Sequence, residues 1–162
     1  MNPIIVMGVS GCGKTTVGKA LAERLNAAFL DADDFHPAAN VAKMRAGTPL
    51  NDDDRAPWLA TLNRELRERS QHGERVVLAC SALKRRYREA IGAQLADVDW
   101  IFLDGSFEVI AERMRARANH YMPESLLRSQ FEALERPENA IQISIELSAA
   151  ELLEAAISAL AR

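Results

Sequence analysis

Short unbroken apolar runs alternate along the chain with longer stretches in which apolar residues return every three or four positions. Ile4-Ile5-Val6-Met7, the stretch from Ala27 to Asp31, that from Arg75 to Cys80, and Trp100-Ile101-Phe102-Leu103 are runs of the first kind. Such runs mark strands covered on both faces, as in a parallel sheet. Ile141, Ile143 and Ile145 alternate with polar residues and predict a fifth strand. Between the runs, Val17, Leu21 and Leu25 recur at helical spacing with Lys19, Glu23 and Arg24 among them, and residues 38–46 have helix-forming composition ended by Gly47-Thr48-Pro49. Trp58, Leu59, Leu62 and Leu66 predict a helix reaching about Ser70, with Gln71-His72-Gly73 closing it. Asp53 or Asp54 is its expected N-cap, with Pro57 in the first turn.

Ser106 is placed to cap a helix carrying Val109, Ile110 and Met114. Residues 124–135 form a further helical stretch, and Ser148-x-x-Glu151 is a capping box before Leu152, Leu153, Ala156, Ile157 and Leu160. The βαβα order, with no repeat, low-complexity tract or linker, predicts a single three-layer α/β/α domain over residues 1–162 around a five-stranded parallel sheet.

The first strand and first helix flank Gly8-Val9-Ser10-Gly11-Cys12-Gly13-Lys14-Thr15, which fits the phosphate-loop pattern G-x-x-x-x-G-K-[ST] at every fixed position. Its glycines let the backbone pass close to an anion, so that successive N–H groups converge on phosphates at the positive end of the helix dipole. Lys14 is expected to reach the β and γ phosphates of a nucleoside triphosphate, and Thr15, followed by Thr16, to offer a hydroxyl oxygen to Mg²⁺. A glycine-rich turn of this composition can also merely join a strand to a helix. The strand, loop and helix stand in the order that phosphate binding requires.

Twenty basic and 23 acidic residues leave a net charge of -3, so no global positive field draws nucleic acid or an anionic membrane, and a small-molecule partner is expected. Cys12 and Cys80, the two cysteines, suggest neither a disulfide framework nor a metal cluster and suit a reducing, cytoplasmic setting. The N-terminus enters its first strand almost at once, so no signal peptide is expected, and no apolar stretch approaches the roughly 20 residues of a membrane span.

Ligands of open α/β sheets sit beyond the carboxyl ends of the strands. Asp31, Asp33 and Asp34 follow the second strand on that rim, where a carboxylate can hold metal waters or accept the proton of an attacking hydroxyl; the alternative is that one only caps a turn before His36-Pro37. Asp33 is the favoured functional member. His36, with no second His or Cys at ligand spacing, is expected to shape the loop or touch substrate. Arg55 offers a planar guanidinium suited to a carboxylate.

Ser81 follows the third strand among small residues that permit close approach of a ligand, and Lys84 is either a binding residue or part of a solvated helix face, as most of its basic neighbours are expected to be. Arg113 and Arg117, four apart, would share a helix face able to close over a nucleotide, or else form an exposed helix end.

Taken together these segments resemble the gluconokinases of the phosphate-loop kinase superfamily. The likeness runs through Asp33-Asp34-Phe35-His36-Pro37, Asn40, Lys43-Met44, the stretch from Gly47 to Leu59, Ala79-Cys80-Ser81-Ala82-Leu83-Lys84 with Tyr87-Arg88, His120-Tyr121-Met122-Pro123 and Ser129-Gln130-Phe131. It implies phosphorylation of D-gluconate by ATP with Mg²⁺, feeding gluconate catabolism and the pentose phosphate or Entner-Doudoroff routes, in a cytoplasmic homodimer.

The resemblance also implies a nucleoside-monophosphate-kinase-like sheet order 2-3-1-4-5 and a lid over about residues 113–135. Asp33 would be the base, Arg55 and Lys84 would hold substrate with His120 a weaker candidate, Asp31 would stand near the metal, and Arg113 and Arg117 would belong to the lid. Ala32 and Asn119 depart from the family's usual glycines; asparagine best tolerates a left-handed backbone after glycine. Kinases for another small hydroxy acid or a nucleoside monophosphate share the fold, whereas a GTP-dependent switch is disfavoured because no Asn-Lys-x-Asp stretch is present.

Overall fold

The computed structural model describes residues 2–117 and 123–162. Among these residues the sheet has five strands: β1 (Ile4–Met7), β2 (Ala28–Asp31), β3 (Val76–Ala79), β4 (Asp99–Asp104) and β5 (Ile141–Ser144). They lie in the order β2-β3-β1-β4-β5 and all pair in parallel, with Ile5 opposite Leu78 on one side and Trp100 on the other. The sheet order implied by the resemblance is thus the observed one.

The apolar runs are continuous because helices cover both faces of the sheet. Along β1 the side chains alternate between them. Ile4 and Val6 pack with Leu21 of α1 (Lys14–Leu25), Ile110 of α5 (Phe107–Ala116) and Leu152 and Ala156 of α7 (Ala149–Leu160). Ile5 and Met7 pack on the other side with Trp58, Leu62 and Leu66 of α3 (Asp52–Gln71) and Ile91 of α4 (Arg85–Gly92). The two remaining helices, α2 (Ala38–Arg45) and α6 (Glu124–Ala133), stand near the sheet's carboxyl rim, as does a 3-10 turn over Ala32–Phe35.

The expected caps of α5 and α7 are present: Ser106 Oγ accepts the Val109 N–H, and Ser148 and Glu151 form a reciprocal capping box. Helix α3 begins differently. Its N-cap is Asn51, not Asp53 or Asp54, because Asn51 Oδ1 accepts the Asp54 N–H at 2.8 Å while the Asp54 carboxylate accepts the Asn51 N–H at 3.0 Å. Two backbone donors are satisfied this way where a lone aspartate cap would satisfy one. Pro57 therefore lies inside the helix, beyond its first turn.

Candidate active site

Glycine at two positions shapes the loop between β1 and α1. Gly8 has φ +149°, and a side chain there would stand 2.7 Å from Cys12 Sγ and 3.0 Å from the Leu103 carbonyl. Gly13, at φ +99°, is the N-cap of α1 and faces open space, so backbone conformation, not room, demands glycine. No side chain caps α1 and no acidic residue occupies its first turn, which leaves its N–H groups directed at the cleft above.

That cleft, about 740 Å³, is lined by Ser10, Gly11, Gly13, Lys14, Thr15 and Thr16 of the loop and helix start, and by Asp31, Asp33, Ser81 and Arg117. Val9 and Cys12 are buried beneath it, so the ligand side of the loop is its backbone at those positions. Burial pushes the Cys12 thiol up, against a smaller lowering by Lys14. Lys14 folds back so that its Nζ donates to the Val9 carbonyl at 3.1 Å.

The carboxylate of Asp31 at the end of β2 joins the two halves of the cleft. One oxygen accepts the Thr15 hydroxyl at 3.2 Å and the other the Asp33 N–H at 3.0 Å, capping the 3-10 turn. Asp33 is thereby held opposite Lys14 on the cleft wall. Its carboxyl is raised above the ordinary aspartate range, first by enclosure in protein and then by Asp31 with a smaller push from Asp34, against opposing pulls from His36 and Lys14. Asp33 and Asp34 are both exposed by surface area, but Asp33 alone of the two lines the cleft, whose walls limit the hydration of its carboxyl.

Thr15 and Asp31 present two hard oxygens side by side, and among the described residues no group of three or more His, Cys, Asp or Glu forms a ready metal cage. This donor set fits Mg²⁺, which keeps waters and phosphate oxygens in most of its octahedral positions.

Beyond Asp33 lies a cationic group organised on Tyr87. Its hydroxyl donates to Asp52 Oδ1 at 2.6 Å and accepts from Arg55 Nη1 at 3.3 Å, while Arg86 pairs with the same carboxylate. The Arg55 guanidinium and the Lys84 ammonium stand 5.5 and 5.8 Å from the ring centroid. The Tyr87 hydrogen bond holds the Asp52 carboxyl below the usual range, helped by Arg86, Lys84 and Arg55. His36 stacks on Trp58 at 4.2 Å, and Trp58 Nε1 donates to the Ala32 carbonyl at 2.7 Å.

The structure brings the loop, Asp31, Asp33, Ser81 and Arg117 to one cleft; His36, Arg55 and Lys84 do not line it, His36 standing near Asp33 and Arg55, and Lys84 lying by Tyr87 and lining a separate pocket with Arg85, Arg86 and Ser129. Arg113 is elsewhere: its Nη2 donates to the Ile145 carbonyl at 2.6 Å beyond β5. The shared helix face expected of Arg113 and Arg117 is not formed, because α5 ends at Ala116 and Arg117 is extended. His120 and Asn119 lie outside the described residues.

Sequence reasoning assigned no role to Gln130, which bonds to Ser10 from α6. Of the basic residues after Lys84, most of which are expected to face solvent, Arg88 instead donates to the carbonyls of Ala82, Leu83 and Glu135. The Gln130–Ser10 pair and the Arg88–Glu135 bond join residues 120 and 47 positions apart and leave no local pattern.

The model of a family described as AAA domain matches residues 4–137. The thermosensitive gluconokinase of Escherichia coli strain K12 is 48% identical over 134 residues, covering 83% of this chain and 72% of that protein. A gluconokinase of Arabidopsis thaliana is 46% identical over 160 residues, covering 90% and 85% of the two chains. The crystal structure of a gluconokinase from Sinorhizobium meliloti 1021 superposes with a TM-score of 0.90 at 44% identity, covering 99% of this chain and 92% of that one.

Proposed function

The chain belongs to the gluconokinase family of phosphate-loop kinases, and we propose that it transfers the γ-phosphoryl group of ATP to the C6 hydroxyl of D-gluconate, giving 6-phospho-D-gluconate and ADP. The observation that carries this reading is the Asp33 carboxyl in the wall of the cleft that also holds the phosphate loop. A carboxyl with a raised pKa is a better base for a hydroxyl than an ordinary aspartate.

The phosphates of ATP are cradled by the loop N–H groups, and Lys14 leaves the Val9 carbonyl for the β and γ oxygens. Thr15 and Asp31 hold Mg²⁺, which when bound neutralises phosphate charge. Arg55, already fixed by Tyr87, takes the gluconate carboxylate, with Lys84, Ser81 and His36 along the sugar acid and His120 a further candidate. The far hydroxyl then faces the γ-phosphorus in line. As its oxygen bonds to phosphorus and the bond from phosphorus to the β–γ bridging oxygen breaks, its proton passes to Asp33, while Lys14 and Arg117 stabilise the transferring group. Closure of a lid over about residues 113–135 excludes water. The family likeness alone supports a homodimer acting in the cytoplasm and a product that enters the routes named above.

The test is ADP release with Mg²⁺ATP in the presence of D-gluconate, shikimate, nucleoside monophosphates or no acceptor. Stimulation by gluconate alone is expected. Stimulation by another acceptor would overturn the substrate, and none by any acceptor would overturn the kinase reading.

A further inference from the structure

Asn40 is one of two buried polar or charged side chains among the described residues, 3% exposed in α2, and its amide nitrogen lies between two acceptor groups. Its Nδ2 lies 2.9 Å from the Asp54 main-chain carbonyl and 3.2 Å from His36 Nδ1. A carbonyl oxygen only accepts, so the atom facing Asp54 is the NH₂ group and not the amide oxygen. One of its hydrogens serves Asp54, and the other points at the imidazole. An N–H directed at a ring nitrogen requires a lone pair there, which excludes a proton on His36 Nδ1.

The rest of the surroundings supports the same state. Trp58 covers one face of the ring. The charged groups acting on His36 are Asp33 on its own turn, which favours protonation, and Arg55 of α3, which opposes it. Lys43 of α2 and Asp54 of α3, the other charges beside Asn40, neutralise each other through contacts of 2.9 and 2.8 Å. Burial, the largest influence, lowers the imidazole below its ordinary pKa. Among the described residues no hydrogen bond takes Nε2.

We infer that Asn40 is a positioning residue that holds His36 as the neutral imidazole with its proton on Nε2, so that His36 presents an N–H donor to an oxygen of the bound acceptor. The tautomer follows from the Asn40 contacts alone. The identity of the acceptor rests on the gluconate kinase reading.

The experiment is a long-range proton–nitrogen correlation spectrum of the full chain labelled with nitrogen-15 histidine, the His36 signals being assigned by their loss in His36→Gln. In the wild-type protein at neutral pH, Nε2 is expected at the shift of a protonated ring nitrogen and Nδ1 at that of an unprotonated one. A protonated Nδ1, or the averaged shifts of a freely exchanging imidazole, would overturn the inference without need of any variant. In Asn40→Asp the carboxylate accepts where the amide donated, so the proton is expected on Nδ1; in Asn40→Ala the two tautomers are expected to average.

KM for D-gluconate should rise about tenfold in these variants, the equivalent of one hydrogen bond, with KM for ATP unchanged. An altered tautomer with an unaltered gluconate KM would overturn the donor role of His36. Absence of gluconate-dependent turnover in the wild-type enzyme would instead fell the substrate reading, and the spectrum would still decide the tautomer.

Discussion

Gln130 grips Ser10 with both ends of its amide: Oε1 accepts the Ser10 N–H at 2.7 Å and Nε2 donates to Ser10 Oγ at 2.9 Å. The pair ties α6 to the phosphate loop. Because the Ser10 hydroxyl accepts from Gln130, its own hydrogen is left for a ligand in the cleft it lines.

Gln130→Ala removes both bonds and leaves the loop free to shift. Losing about 1–3 kcal/mol of positioning corresponds to a rise in KM for ATP of roughly five- to 150-fold. Steady-state kinetics with each substrate varied should place the effect on ATP and leave KM for gluconate nearly unchanged; an ATP KM within twofold of wild type would show that the grip does not act on nucleotide.

Asp33→Asn should abolish most turnover and not destabilise the fold. Loss of a general base costs roughly 10²–10⁴ in kcat. The sign for stability follows from the raised carboxyl: its contribution to folding is present below the unfolded pKa and lost as pH rises through the folded one, so at neutral pH the charged aspartate opposes folding. Thermal melts at neutral pH should place the variant at or above wild type, with the difference vanishing in acid. The wild-type kcat should fall on the acid side at a pH above that of an ordinary aspartate.

Tyr87→Phe removes the hydroxyl that accepts from Arg55 and donates to Asp52, while keeping the ring. Arg55 then loses its fixed orientation, and KM for gluconate should rise about three- to tenfold, the measure of one partly exposed hydrogen bond. Arg55→Lys should cost more, about a hundredfold, since an ammonium cannot form two parallel bonds to a carboxylate. Equal effects of the two substitutions would remove the carboxylate assignment from Arg55.

Arg88 joins the loop after β3, where Ala82 holds the left-handed φ of +45°, to the segment after α6 through three backbone carbonyls. Arg88→Ala removes the side-chain partner of the Ala82 and Glu135 carbonyls, the Leu83 carbonyl keeping the Glu135 N–H, and should destabilise by about 2 kcal/mol, lowering Tm by roughly 4–8 °C for a chain of this size. Arg88→Lys should recover less than half, as one ammonium does not span the three positions. Calorimetry on the three proteins checks both statements.

The sequence by itself determined the phosphate loop, the five strands and the capped helices α5 and α7. Each is written in neighbouring residues: glycines where Gly8 and Gly13 need positive φ, unbroken apolar runs where both faces of a strand are covered, and Ser148 three residues before Glu151. The strand order was reachable only through family resemblance, because hydrophobic period says that a strand is buried and not which strand lies beside it. The start of α3 is not fixed by sequence to within a few residues, since Asn51 and the three aspartates are all competent caps and only the reciprocal bond with Asp54 chooses among them.

Tertiary structure decided most partners of the polar side chains. Gln130 meets Ser10 across 120 positions and Tyr87 meets Asp52 across 35, while Asn40, four residues after His36, reaches the Asp54 carbonyl only because α3 packs beside α2. It also sent Arg113 to the Ile145 carbonyl while its expected companion Arg117 lines the cleft. A hydrogen bond requires two groups within about 3 Å and correctly aimed. Apolar packing tolerates exchange and so repeats along a chain, whereas such directed pairs form once, where the folded backbone places them.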